Sequence, residues 1–131
     1  MTDNTFPRNT QVAADRWASA LHLFDEPHEE TAAQRWERAE LLFEARDYTA
    51  AATLLAEVVA EYPDQIGPRL LLARAYYHSA RLGRAEAQLR EIVERDPVEH
   101  YAHLMLGRTL QRAGRHDEAA RWLRMAEAFG G

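Results

Sequence analysis

Pro63 and Pro97 lie 34 residues apart, each closing an acidic segment, AEVVAEYP and REIVERDP. At the same shift Ala39, Ala73 and Gly107 align, and so do Leu42, Tyr76 and Leu110. Three further columns are Ala51, Ala85 and Ala119; Leu55, Leu89 and Leu123; and Val58, Ile92 and Ala126. A period of this length over three copies points to one kind of architecture. It is a stack of like supersecondary units, none of which can bury its apolar face alone.

Each copy reads as two helices. In the first, Thr31 and Gln34 have capping-box spacing ahead of an apolar pattern that runs to Ala45 and breaks at Arg46 and Asp47. Asp47 can cap the second helix, which ends before Pro63. The second copy has Pro68 in a first helical turn, where its missing N–H costs nothing, and its helices are expected to meet at Leu82 and Gly83. In the third, Gly114 is expected in the left-handed position that ends a helix, and Asp117 starts the last one. Two antiparallel helices joined by a tight turn approach closely only where side chains are short. That accounts for the columns of Ala39, Ala73 and Gly107 and of Ala51, Ala85 and Ala119. The expected fold class is all-α, a solenoid of helical hairpins.

The pattern resembles the tetratricopeptide repeat, carried by LMLGRTLQRAGRHDEAARWLRMA (104–126) and LLLARAYYHSARLGRAEAQLREIVERDP (70–97). RWERAELLFEARDYTAAATLLAEVVAEYP (35–63) departs from the family signature, with Arg38 in the usual Leu place and Trp36 one residue beyond the usual Trp. The resemblance implies a right-handed solenoid over 32–131, with repeats at 32–65, 66–99 and 100–131. Residues 1–9 are expected to be a disordered tail. Over 10–24, Ala13, Trp17, Ala20, Leu21 and Phe24 share one helical face outside the repeat register, so 10–31 is expected to be an N-terminal capping helix and hinge.

Composition narrows the function by exclusion. There is no Cys, hence no disulfide and no thiolate zinc site. All 16 basic residues are Arg, which reads as the codon bias of a GC-rich, bacterial genome. No stretch approaches a membrane span and the start has no apolar leader, so a cytoplasmic protein is expected. His100 and His103 stand at i, i+3 beside Glu99, but no third ligand accompanies them and no metal site is expected. His22, His28 and His116 read as solvated. The acidic pairs Glu29–Glu30 and Asp117–Glu118 sit at helix starts, where the dipole explains them. No nucleophile–base–orienter set can be assembled, so catalytic residues, cofactors and a small-molecule substrate are not expected.

The resemblance also implies that the first helices of the repeats line a concave groove. Its positions fall on Ala33, Trp36, Glu40, Phe43 and Glu44 in the first copy and on Gly67, Leu70, Arg74, Tyr77 and His78 in the second. In the third they fall on Tyr101, Leu104, Arg108, Gln111 and Arg112. Trp36, Phe43, Leu70, Tyr77, Tyr101 and Leu104 are more large apolar groups than a solvated face needs, and aromatics with Arg are the usual interface anchors. The places that clamp chaperone tails in some such repeats hold Trp36, Glu40, Leu71, Tyr101 and Met105, so that clamp is missing. Arg74, Arg108 and Arg112 make one end of the groove positive, and Glu40 and Glu44 make the other negative. The expected function is a non-enzymatic adaptor for a peptide or helix of another protein, with an apolar centre and an acidic end.

Other occupants of that groove would be the N-terminal segment itself or a second subunit. The runner-up is a self-assembling structural protein, because Ala120, Trp122, Met125 and Phe129 are left over on the last helix. These residues suggest a two-fold homodimer through the C-terminal helices. The charge is uneven in a way that favours contacts between unlike ends: residues 1–65 carry 5 basic and 13 acidic groups, and 66–131 carry 11 and 8. RNA binding through the Arg row is a third reading, which the acidic half opposes.

Overall fold

The computed structural model describes residues 30–130; the expected tail over 1–9 and helix over 10–24 lie outside them. Six helices follow in order: α1 (Ala32–Glu44), α2 (Tyr48–Glu61), α3 (Ile66–His78), α4 (Leu82–Arg95), α5 (His100–Arg112) and α6 (His116–Gly130). Each packs on its neighbours in the chain, and α3 also meets α5. The result is three stacked helical hairpins, with α1, α3 and α5 side by side along one face. Among the described residues there is no strand.

The first helix starts as its sequence requires. Gln34 N–H donates to Thr31 Oγ1 at 3.1 Å, and Thr31 N–H donates to Gln34 Oε1 at 2.9 Å, closing the capping box. Asp47 caps α2 by accepting from Ala50 N–H, and Glu99 caps α5 by accepting from Ala102 N–H. Between hairpins the chain turns at Tyr62–Gln65 and Asp96–Glu99, where an N–H three residues on returns to the first carbonyl at 3.2 and 3.1 Å. Pro63 and Pro97 occupy the second place of these turns, the one their fixed φ suits.

Inside the hairpins the period reaches the hydrogen bonds. Asp47, Arg81 and Arg115 N–H donate to the carbonyls of Leu42, Tyr76 and Leu110, all at 2.8 Å. The preceding residues, Arg46, Ala80 and Gly114, have φ of 66°, 61° and 83°. All three are Schellman caps with a left-handed residue after the helix. This corrects two expectations. The second hairpin turns at Ser79–Arg81, and Gly83 lies within α4; α6 begins at His116, so Asp117 is in its first turn. A residue with a Cβ is strained in the left-handed region by about 1–2 kcal/mol. Ala80→Gly is therefore expected to stabilise the protein by roughly 0.5–1 kcal/mol, after the entropic cost of Gly is subtracted. Gly114→Ala should destabilise by about 1 kcal/mol. Urea unfolding of both variants tests this, and a lower midpoint for Ala80→Gly would contradict the turn assignment.

The small-residue columns are at the centre of the core. Ala39, Ala51, Ala73 and Ala85 are 0% exposed and Ala119 1%. A Cβ built on Gly107 would lie 2.6 Å from both Cγ and Cδ2 of Leu123, so the close approach is real and only Gly fits it unstrained. Buried apolar residues form two clusters, an upper core spanning α1 to α4 and a lower core spanning α3 to α6. Each hairpin thus completes the core of the next, as in any linear repeat array.

One core column is polar. Arg69 is only 8% exposed, donating from Nη1 to Gln88 Oε1 at 2.7 Å and from Nη2 to the Pro63 carbonyl at 2.9 Å. One repeat earlier Arg35 pairs with Glu61 at 2.6 Å; one repeat later His103 is 1% exposed, with Nδ1 on the Glu99 carbonyl at 2.7 Å. Residues 35, 69 and 103 share one repeat position, so the period carried this signal too, although the apolar columns alone do not reveal it.

Candidate functional site

The face formed by α1, α3 and α5 joins aromatic rings to guanidinium groups across all three repeats. The Arg74 guanidinium on α3 lies 4.8 Å from the Phe43 ring centroid on α1 and 5.9 Å from that of Tyr101 on α5. Arg112 lies 4.8 Å over the Tyr77 ring and donates from Nη1 to the Tyr77 carbonyl at 2.6 Å. His78 stacks on Tyr48 at 4.7 Å and meets Phe43 and Tyr77 edge-on at 5.7 and 5.6 Å. Burial lowers the His78 imidazole below its ordinary pKa, and the charges of Arg74 and then Arg112 lower it further, so the ring is neutral at pH 7. Held over rings, these cations lose little further freedom when a ligand arrives.

The charges here are otherwise unanswered. Among the described residues Arg74, Arg108 and Arg112 have no carboxylate within 4.0 Å, and Glu40 and Glu44 have no ion pair. On the second helices the situation is opposite. Glu86 of α4 accepts from Arg90 at 2.8 Å and from Arg115 at 2.6 Å, and both arginines also reach Glu118. Burial pushes the Glu86 carboxyl up, but the hydrogen bonds from Arg90 and Arg115 prevail and leave it below the ordinary value. The arginines of that ring have their counter-ions; those of the inner face do not.

The expected groove residues do not all meet. Phe43, Arg74, Tyr77, His78, Tyr101 and Arg112 form the contacts just described. Arg108 and Gln111 join Tyr77 and Arg112 around a cleft of about 500 Å³. Trp36 lies apart, in a mostly apolar cleft of about 590 Å³ shared with Val58, Tyr62, Gly67 and Pro68. Leu70 packs half-buried on the lower core, Leu104 is also half-buried, and Glu40 is exposed. Tyr48, which the sequence did not single out, supplies the stacking partner of His78 from the first turn of a second helix.

The expected self-association residues need a correction. Trp122 is 9% exposed and belongs to the lower core, its ring 5.6 Å from His103. Met125 packs half-buried against the same cluster. Only Phe129 stays open, 44% exposed, its ring centroid 5.1 Å from that of His103 in an edge-on contact. Its buried neighbour His103 stands at the repeat place shared by Arg35 and Arg69, so the indole of α6 packs on an imidazole there. Residues Arg121, Arg124 and Glu127 then occupy the outer surface of that helix. Of the paired histidines, His100 donates from Nδ1–H to the Ala126 carbonyl at 2.8 Å, and among the described residues no group of three or more His, Asp or Glu converges on a metal position. No described helix is long and apolar enough to cross a membrane.

Comparison with known proteins follows the same architecture. Family models described as tetratricopeptide repeat match residues 42–105 and 8–66, the second reaching into the segment that the period leaves unaligned. No curated protein matches the chain by sequence. Among solved structures, a MamA RS-1 double mutant superposes with a TM-score of 0.73 at 24% identity, covering 77% of this chain and 57% of its own. MamA from Desulfovibrio magneticus RS-1 gives 0.73 at 22%, covering 96% and 69%. MamA MSR-1 gives 0.75 at 20%, covering 92% and 70%. This chain therefore spans little more than half the length of the first of them, and at such identities the likeness is one of fold. The 34-residue period, the three Schellman-capped hairpins and the two family matches agree: the chain belongs to the tetratricopeptide repeat family, whose repeats are protein-interaction scaffolds.

Proposed function

We propose that the protein is a non-enzymatic, cytoplasmic adaptor whose inner face takes a peptide or helix of a partner protein, apolar at its centre and acidic at one end. The observation that carries this reading is the set of three guanidinium groups with no carboxylate among the described residues, two of them braced on aromatic rings. Arg and Tyr in such settings are the usual hot spots, each worth about 2 kcal/mol or more on truncation. An acidic partner would supply the counter-ions that the fold withholds, while Phe43, Tyr77 and Tyr101 would bury its apolar centre. Folds of this family host many partners, so the groove's own chemistry and not the fold carries the proposal.

The test is capture of the partner from the native host, followed by titration against the double variant Tyr77→Ala with Arg74→Ala. Helicity should stay nearly intact, because both side chains are only half-buried and lie on the inner face. Affinity should fall about 100-fold or more. Full binding by the variant would move the functional surface to the outer face or a terminus. Self-assembly is the second reading, and the half-exposed Phe129 is the observation that keeps it in view.

A further inference from the structure

Two repeat positions on the inner face change charge in step along the stack. One is Glu40 in α1, Arg74 in α3 and Arg108 in α5; the other is Glu44, His78 and Arg112. With His78 neutral, the three helices present −2, +1 and +2 at the same two places. Four residues apart, each pair lies on one side of its helix, a single turn separating the members. Glu40, Glu44, Arg108 and Arg112 are all exposed, and none has an ion pair within the described residues. The rings of Phe43 on α1 and Tyr101 on α5 both approach Arg74 on the middle helix, which also carries Tyr77.

We propose that the groove reads a dipolar partner segment in one direction, with an acidic pair against Arg108 and Arg112, a basic pair against Glu40 and Glu44, and an apolar stretch between. This rests on the groove reading above and adds a basic end and a fixed orientation to it. Packed helices stand 8–10 Å apart, so the distance from α1 to α5 is about 20 Å. About 13 helical residues or 6 extended ones cover that span. A uniformly acidic segment would meet Glu40 and Glu44 at its far end, and like charges brought together there oppose binding. The ramp thus selects against the simplest acidic ligand as well as for the dipolar one.

Three synthetic peptides of about 14 residues test this on the full chain. All have the same apolar centre; one carries Glu at one end and Arg at the other, one carries Glu at both ends, and one has the charges of the first interspersed. The dipolar peptide should bind at least 10-fold more tightly than either of the others at low salt. The variant Glu40→Arg with Glu44→Arg should reverse the order and prefer the peptide with Glu at both ends. Direction is read separately: the chain has no cysteine, so Gln111→Cys is a unique attachment point beside Arg112. A thiol-reactive group should label it from the acidic end of the peptide and not from the basic end. Equal binding of the dipolar and doubly acidic peptides would overturn the ramp while leaving the groove adaptor in place. Binding that survives Tyr77→Ala with Arg74→Ala would overturn both, and so would no binding by any of the three.

Discussion

Replacing Gly107 with Leu is expected to cost the protein its cooperative fold. The first atom of the new side chain would already stand 2.6 Å from Leu123 Cγ and Cδ2 and 3.3 Å from the Leu123 backbone nitrogen. The Leu123 side chain could clear Cγ and Cδ2 only by changing its χ1 rotamer in a packed core, and the backbone nitrogen moves only with α6. Overpacking of a close contact costs about 1–3 kcal/mol, and more where backbones must separate. Domains of this size have about 5–15 kcal/mol in total, and 1 kcal/mol moves Tm by about 4–8 °C. A loss of about 10–20 °C, or no cooperative melt at all, is the expected result. Gly107→Ala should fall between wild type and Leu, and Leu123→Ala should partly restore Gly107→Leu by vacating the space. Ala85→Leu, at a place with no exposure, should behave like Gly107→Leu. Gly83 is the control: a Cβ there meets nothing within 4 Å, and Gly83→Ala should leave the melt unchanged or raise it. Equal melting of wild type and Gly107→Leu would show that the small-residue columns are not the close contacts.

What could be known without coordinates was whatever repeats. Backbone contacts are the same in each copy, so the 34-residue period gives the helices, the Pro turns and the buried Ala columns. The inner face is what the resemblance to the tetratricopeptide repeat implies once it is laid on that register. At Leu82–Gly83 a local signal misleads: Gly83 looks like a helix stop, yet the repeat places Ala80 level with Gly114. The turn is set by its neighbours' packing, which forces a left-handed residue even where none is favoured. Side-chain partnerships are a different matter. Arg35, Arg69 and His103 occupy equivalent places, yet they meet Glu61, Gln88 and Trp122, partners of unrelated chemistry. Nothing in the spacing says which rotamer each takes. For the same reason the stacking of Arg74 on Phe43 and Tyr101 needed the structure, although their common face did not.

The burial of Trp122 separates stability from assembly, and with them two variants that the sequence alone would have treated as one. Trp122→Glu should strongly destabilise the third repeat. Truncating a buried aromatic costs about 3–5 kcal/mol, and the replacement would set a carboxylate among His103, Met125 and the lower core. Arg90 and Arg121, whose guanidinium groups lie 5.7 and 5.1 Å from the indole, would answer part of that charge, so a loss of about 3 kcal/mol is expected. Trp122→Phe should cost far less, because the indole N–H is buried without a hydrogen-bond partner and its removal forfeits none. Phe129→Glu, at a half-exposed ring, should shift the melt by no more than about 1 kcal/mol. Phe129→Glu is therefore the variant with which to interrogate self-association. If the protein pairs through its last helix, sedimentation over a range of concentrations should show a wild-type dimer and a Phe129→Glu monomer with the same melting temperature. A wild-type monomer at ~100 μM would place any association weaker than about −5 kcal/mol and remove self-assembly as a reading. The unpaired arginines of the inner face would then be left as the surface on which a partner must be sought.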